Sequence, residues 1–303
     1  MYTVEIQSVT KTFDRHRAVD DLDLKVPEGC VYGFIGPNGS GKTTTIRMLM
    51  NIIYPDSGSI RIFGAERTDA ATDRIGYLPE ERGLYKKMKV RPLLQFYGGM
   101  KNGQNINTEV DRWLEQFELT DWANKKVDAL SKGMSQKVQF IAAVVSKPEL
   151  LILDEPFTGL DPVNTDAIKD AVLDLQKSGT TVIFSTHDMN TAEKMCDFIF
   201  MIFKGKKVLD GTLESIQDRY GDDTLRVRVD DDGDWIRSIP GVEQIRNFGR
   251  MQEIRMAAGT DSQEILAAIM ARTRVDQFEV AKPSLHDIFV RIAGPEAEEV
   301  NHA

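Results

Sequence analysis

The chain has 303 residues, 41% of them hydrophobic and 28% charged, with a net charge of −9 at pH 7. That length holds one large domain or about two ordinary ones, and the proportions are those of a globular protein. No apolar run approaches the roughly 18–20 residues of a membrane span, and the acidic balance argues against a protein that coats nucleic acid.

In chain order, Tyr2, Val4 and Ile6 alternate with Thr3, Glu5 and Gln7, as in a half-exposed strand. The opening MYTVEIQSVTK lacks a basic segment followed by an apolar core, so no secretory signal is expected. Leu22, Leu24 and Val26 alternate likewise, and Val31 to Ile35 is apolar throughout, as in a central parallel strand. A turn at Pro55 to Gly58 leads into a strand to Phe63, and from about Pro92 to Val145 the pattern becomes helical, with Val110, Trp113, Leu114 and Phe117 on one face. Leu150 to Leu153 and Thr181 to Phe184 are strands around a helix from Asp166 to Lys177, a β-α-β order. Phe198 to Phe203 suits a buried strand. Cys30 and Cys196, far apart in apolar surroundings, are expected to be buried free thiols of a reducing cytoplasm.

Composition shifts at Tyr220 to Asp223, and most of the acidic excess lies beyond it, which puts a domain boundary there. The second part reads as a small α+β module: a strand at Leu225 to Val229, a hairpin of 243–247 and 253–256 around Gly249, a helix from Gln263 to Ala271, a strand from Val275 to Val280 and a helix from Ser284 to Ile292. Residues 295–303 read as a disordered acidic tail. The organisation expected is 1–220, with a helical insertion at about 85–145, then 221–294 and the tail.

Gly36 to Thr43 fits G-x-x-x-x-G-K-[ST], with a strand before it and a helix after it. Its glycines let backbone N–H groups from Asn38, Gly39, Ser40, Gly41, Lys42, Thr43 and Thr44 curl around a phosphate at a helix N-terminus. Lys42 then reaches the β- and γ-phosphates, and Thr43 holds Mg²⁺. Leu150 to Glu155 is a buried strand ending in two carboxylates: Asp154 suits Mg²⁺, and Glu155 suits accepting a proton from an attacking water. His187 follows a parallel strand at the end where α/β sheets bind ligands, placed to hold a γ-phosphate or the water. Ser131 is a good N-cap for the helix that follows it.

Taken together, residues 2–220 resemble the ATP-binding subunit of an ABC transporter, in the order P-loop, helical insertion, Leu130-Ser-Lys-Gly-Met134 signature, Leu150 to Glu155, His187. The resemblance implies an α/β P-loop NTPase fold of ABC type, a mixed sheet core with an antiparallel β part and a helical subdomain, followed here by the small α+β domain. It implies an ATPase at the cytoplasmic face of the membrane that works with an integral membrane permease. A second ATP-binding subunit, in a homodimer or heterodimer, completes each site with Ser131 and Gly133; no nucleic acid is expected. Phe13 resembles the aromatic that stacks on adenine, Gly159 to Asp161 the D-loop, and Gly76 to Glu80 the Q-loop, where Glu80 replaces the usual Gln as a ligand for Mg²⁺ or water. Lys132 and Met134 depart from L-S-G-G-Q; Lys132 either offsets charge at the other subunit's nucleotide or points to solvent. The signature, Tyr77 to Tyr85 and Pro283 to Phe289 are similar to drug and sodium-efflux exporters. A soluble ABC ATPase acting on a non-membrane partner, a non-hydrolysing regulator and an importer subunit are the alternatives. Repair members carry long coiled coils and translation members two cassettes, and neither feature is present here.

Overall fold

A computed structural model describes residues 1–66, 73–81, 83–102, 106–221, 223–257 and 259–294. The expected tail at 295–303, Arg82 of the Tyr77 to Tyr85 segment and Asp222 at the expected boundary lie outside the described residues. The chain divides into two compact units, Met1–Thr212 and Leu213–Ala303.

In the first unit the elements are β1 (Tyr2–Phe13), β2 (His16–Pro27), β3 (Val31–Ile35), α1 (Lys42–Leu49), β4 (Ser57–Ile62), β5 (Ala65–Glu66), β6 (Ile75–Leu78), α2 (Val90–Asn102), α3 (Asn107–Gln116), α4 (Lys132–Val144), β7 (Leu150–Leu153), α5 (Pro162–Lys177), β8 (Thr181–Thr186), α6 (Met189–Met195), β9 (Phe198–Phe203) and β10 (Lys206–Gly211). An antiparallel sheet has the order β2-β1-β4-β5, and a six-stranded sheet the order β10-β9-β3-β8-β7-β6. In the latter, β9, β3, β8, β7 and β6 run parallel and β10 closes one edge antiparallel.

Period-two alternation gives the six-stranded sheet two dry faces. Tyr32, Phe34, Leu150, Ile152 and Ile183 face a core shared with β1, β2, β4 and α1. Val31, Leu151, Leu153, Val182 and Phe184 face a second core built from the helical insertion and α5. Trp113 anchors the latter, stacked on Phe117 at 5.9 Å and edge-on to Phe140 at 6.0 Å. Strand order then sets function: β3, β8 and β7 are neighbours, so the loops after Ile35, Leu153 and Thr186 emerge side by side at the carboxyl edge.

Three local readings change. The helix expected from Asp166 starts at Pro162, because Asp161 caps it by accepting from Asn164 N and Pro162 supplies the pre-set first-turn φ. Gly76 to Leu78, read as loop, belongs to β6, because Ile75 to Leu78 pairs in register with Leu150 to Leu153; only Pro79 and Glu80 leave the sheet. Cys30 is a buried free thiol; Cys196, at the end of α6, is free but only partly covered, its sulfur packed against Gly33 of β3.

In the second unit, α7 (Leu213–Tyr220), β11 (Thr224–Val229), β12 (Val242–Phe248), β13 (Met251–Met256), α8 (Ser262–Met270), β14 (Val275–Ala281) and α9 (Leu285–Ala293) form one antiparallel sheet, β12-β13-β11-β14, with helices. The division falls before α7, eight residues ahead of the composition shift. The cause is that α7 is tied to its own unit: Gln217 Nε2 donates to Pro283 O at 3.0 Å, Lys282 pairs with Asp218 at 2.6 Å, and Arg291 donates to Tyr220 O at 3.2 Å. Among the described residues, no helix is long and apolar enough to cross a membrane.

Trp113 is 1% exposed, so Trp113→Ala is expected to cost about 3–5 kcal/mol by leaving a cavity among aromatic rings. Its indole N–H has no partner, so Trp113→Phe should cost much less. Urea unfolding followed by circular dichroism separates the two.

Candidate functional site

The buried strand β3 delivers its backbone into Gly36 to Thr44, and α1 begins at Lys42. Gly41 sits at φ 113°, where a Cβ would lie 2.5 Å from Ala18 O, so only glycine fits this approach. Thr45 Oγ1 donates to Gly41 O at 2.9 Å and holds the turn to the helix. The loop residues Asn38 to Thr44 line a cavity of about 350 Å³ together with Phe13, His16, Ala18, Glu80 and Glu155. Phe13 and His16 face each other across the β1–β2 hairpin, and Lys11 Nζ lies 5.4 Å from the Phe13 ring centroid.

Lys42 is buried under this loop. Its ammonium donates to Gly36 O at 2.6 Å and Pro37 O at 3.1 Å, and lies 3.8 Å from Glu155 Oε1. Burial pushes the lysine below its ordinary range, outweighing the opposing pull of Glu155, Asp154 and Glu80.

Asp154 follows Leu153, which pairs with Phe184, so Asp154 stands abreast of Ser185. The carboxylate is fully buried. Oδ1 accepts from Ser185 Oγ at 2.6 Å and from Thr43 Oγ1 at 3.4 Å. Burial raises Asp154 above the usual carboxylate range, against the lowering by those hydroxyls. Oδ2 is buried and has no hydrogen-bond partner. An orphaned carboxylate oxygen beside a threonine hydroxyl fits one hard divalent cation, such as Mg²⁺, whose remaining ligands are water and phosphate. No group of three or more acidic, His or Cys side chains suited to a metal occurs among the described residues. Glu80 is exposed and lines the same cavity as Thr43.

Glu155 adopts φ 50°, a left-handed conformation that costs a non-glycine residue about 1–3 kcal/mol. Its N–H donates to Ser185 Oγ at 2.9 Å, so one hydroxyl fixes both carboxylate residues. The Glu155 side chain is 3.1–3.2 Å from His187 Nδ1 and accepts from Thr158 Oγ1 at 3.1 Å. Lys42, Thr43, Asp154, Glu155 and His187 therefore converge: Lys42, Thr43 and Glu155 line the cavity, Asp154 lies behind Thr43, and His187 joins through Glu155.

Ser131 and Gly133 do not line this cavity. Ser131 caps α4, its hydroxyl accepting from Met134 N at 3.2 Å. A Cβ on Gly133 would lie 2.5 Å from Asn164 Nδ2, so a larger residue there would push that side-chain amide aside. Lys132 is exposed, and its ammonium lies beside Gly159, 3.0 Å from where a Cβ there would be. A larger cavity, about 710 Å³, includes Glu80, Lys132, Ser135, Gln136, Glu155 and Thr158 in its lining. Sequence reasoning missed the roles of Ser185, Thr158 and His16. Ser185 had a signal, a hydroxyl directly after the apolar run Val182 to Phe184; the other two had none.

Residues 19–158 match the family described as ABC transporter, and residues 211–293 match the C-terminal domain of ATP-binding proteins like DrrA1-3. The chain is 44% identical, over 95% of its length and 98% of the relative's, to the uncharacterized ABC transporter ATP-binding protein YhaQ of Bacillus subtilis (strain 168). It is 30% identical to the daunorubicin/doxorubicin resistance ATP-binding protein DrrA of Streptomyces peucetius, over 98% of this chain and 94% of that one. A solved structure of an ATP-binding subunit of an ABC transporter superposes with a TM-score of 0.67 at 30% identity, covering 72% of this chain and 93% of the other.

Ser185→Ala would leave the buried Glu155 N–H and Asp154 Oδ1 short of a partner. The expected loss is about 1–3 kcal/mol of stability, read as a lower urea midpoint, with Ser185→Thr milder.

Proposed function

The chain belongs to the ABC transporter ATP-binding protein family, and on that premise we propose that it drives export of drug-like organic compounds through a separate integral membrane permease. It is an ATP-binding and ATP-hydrolysing subunit of a transporter; family membership displaces the soluble-partner and regulator alternatives. Export over import is supported by the C-terminal match and by relatives named for daunorubicin/doxorubicin resistance. The protein would then work at the cytoplasmic face of the membrane, with the permease setting the substrate.

One observation carries the mechanism: Lys42, Asp154, Glu155 and His187 meet at the ends of three adjacent strands, while Ser131 and Gly133 lie outside that cavity. Phe13 stacks on the adenine. Loop amides from Asn38 to Thr44 and the Lys42 ammonium hold the β- and γ-phosphates. Thr43 and Asp154 would hold Mg²⁺, which, when bound, neutralises phosphate charge, and Glu80 contributes at the rim. Glu155 takes a proton from the attacking water, and His187 steadies Glu155 and the γ-phosphate. A second ATP-binding subunit, identical or related, supplies its Ser131–Gly133 helix start to this nucleotide. ATP binding then favours the closed pair and hydrolysis releases it. Tyr85, Phe96 and Met100 form an exposed apolar patch on the helical subdomain, with Tyr85 6.2 Å from Phe96, which suits contact with the permease.

Glu155→Gln is expected to keep ATP binding while losing about 10²–10⁴-fold in turnover. Affinity capture of that variant from detergent-solubilised membranes with ATP should bring down a polytopic membrane protein in stoichiometric amount. Ribosomes or nucleic acid in its place would overturn the transporter assignment.

A further inference from the structure

The turn after Glu155 and the start of α5 meet the signature helix of the same chain through one hydrogen bond and two close approaches. Gln136, 6% exposed on α4, donates from Nε2 to Thr158 O at 3.4 Å. The Lys132 ammonium lies beside Gly159, and Gly133 abuts Asn164, whose side-chain amide donates to Asp161. From this turn Thr158 Oγ1 donates back to Glu155 Oε2 at 3.1 Å. His187 touches both carboxylate oxygens from the other side.

Resting on the assignment of Glu155 as the base, we propose that Thr158 is a positioning residue that fixes the Glu155 carboxylate, and that Gln136 ties it to the signature helix. The geometry explains the need. Glu155 has a left-handed backbone, so its side chain leaves the sheet in an unusual direction. A flexible three-torsion side chain then has to be held to about 1 Å for the water to be in line. His187 is half exposed and the Lys42 ammonium stands 3.8 Å from the carboxylate; Thr158 adds a hydroxyl donor from the turn that follows the base. Because Gln136 and Lys132 ride on α4, any movement of that helix start on meeting the partner's nucleotide reaches Thr158 and then Glu155.

The test is steady-state ATP hydrolysis by the full-length chain with its permease, comparing wild type, Thr158→Val, Thr158→Ser, Gln136→Ala, the Gln136→Ala/Thr158→Val double variant and Glu155→Gln. Thr158→Val, isosteric but without the hydroxyl, is expected to lower kcat about 10–100-fold. Its KM for ATP should stay within about 2-fold, the signature of an interaction absent from nucleotide binding. Thr158→Ser, which restores the hydroxyl, should recover most of kcat; a purely packing role for the threonine would not give that recovery. Gln136→Ala should lower kcat less, and the double variant should be no worse than Thr158→Val alone, since the two act in one chain of contacts. Near-wild-type kcat in Thr158→Val, or equal losses in Val and Ser, would overturn the proposal while leaving Glu155 as the base. Wild-type turnover in Glu155→Gln would remove the base assignment and this inference with it.

Discussion

Burial of opposite charges at one sheet edge is the constraint on which the ATPase unit depends. Lys42, Asp154 and Glu155 are each less than 10% exposed, and taking such ions out of water costs several kcal/mol apiece. The protein offsets this locally. Loop carbonyls take two donors of Lys42, Ser185 takes both Asp154 and the Glu155 amide, and Thr43 leans on Asp154. The remaining imbalance is directional: one ammonium close to the Glu155 carboxylate and one carboxylate oxygen without a partner. Such an imbalance fits a polyanion with its cation. The strained Glu155 backbone and the depressed lysine are what a preorganised site stores before its ligand arrives.

The topology follows from that requirement. Strand β3 is fully buried and sits between β8 and β9, so the P-loop starts from a rigid base. The β7–β8 register sets Asp154 beside Ser185, and a slip of β7 by one residue would turn its side chains to the opposite faces and part the pair. The two apolar faces of the same sheet then separate duties: one packs the antiparallel sheet that brings Phe13 and His16 to the nucleotide cavity, the other packs the helical subdomain that carries Ser131. Phe13 and Ser131 are thus held by different cores on opposite sides of one sheet. The C-terminal unit has its own core around Leu225, Val227, Ile254 and Ile265.

Much of this was legible in the sequence, for identifiable reasons. The P-loop, the paired carboxylates and His187 each end an apolar run, and local pattern is enough to place them on strand ends. Ser131 was readable as a cap because its hydroxyl precedes a long helical pattern. What was not legible depended on contacts between distant segments. Residues Gly76 to Leu78 are too few and too mixed to show as a strand until β7 pairs with them. The start of α5 moved because one Asp-Pro pair outweighs the polar residues after it. The approach of the exposed Lys132 to Gly159 joins segments far apart in the chain. Thr158 carries no signal at all, since its role exists only through the left-handed turn at Glu155.

The central claim is that one chain holds only half of each ATP site, with the P-loop cavity here and Ser131–Gly133 facing outward for a partner. The most direct measurement is sedimentation of the Glu155→Gln chain with ATP and Mg²⁺ against ADP and Mg²⁺. A dimer with ATP that reverts to monomer with ADP, and that Ser131→Arg abolishes without loss of ATP binding, is the result expected. A monomer at saturating ATP, or a dimer indifferent to both the nucleotide and Ser131→Arg, would contradict it.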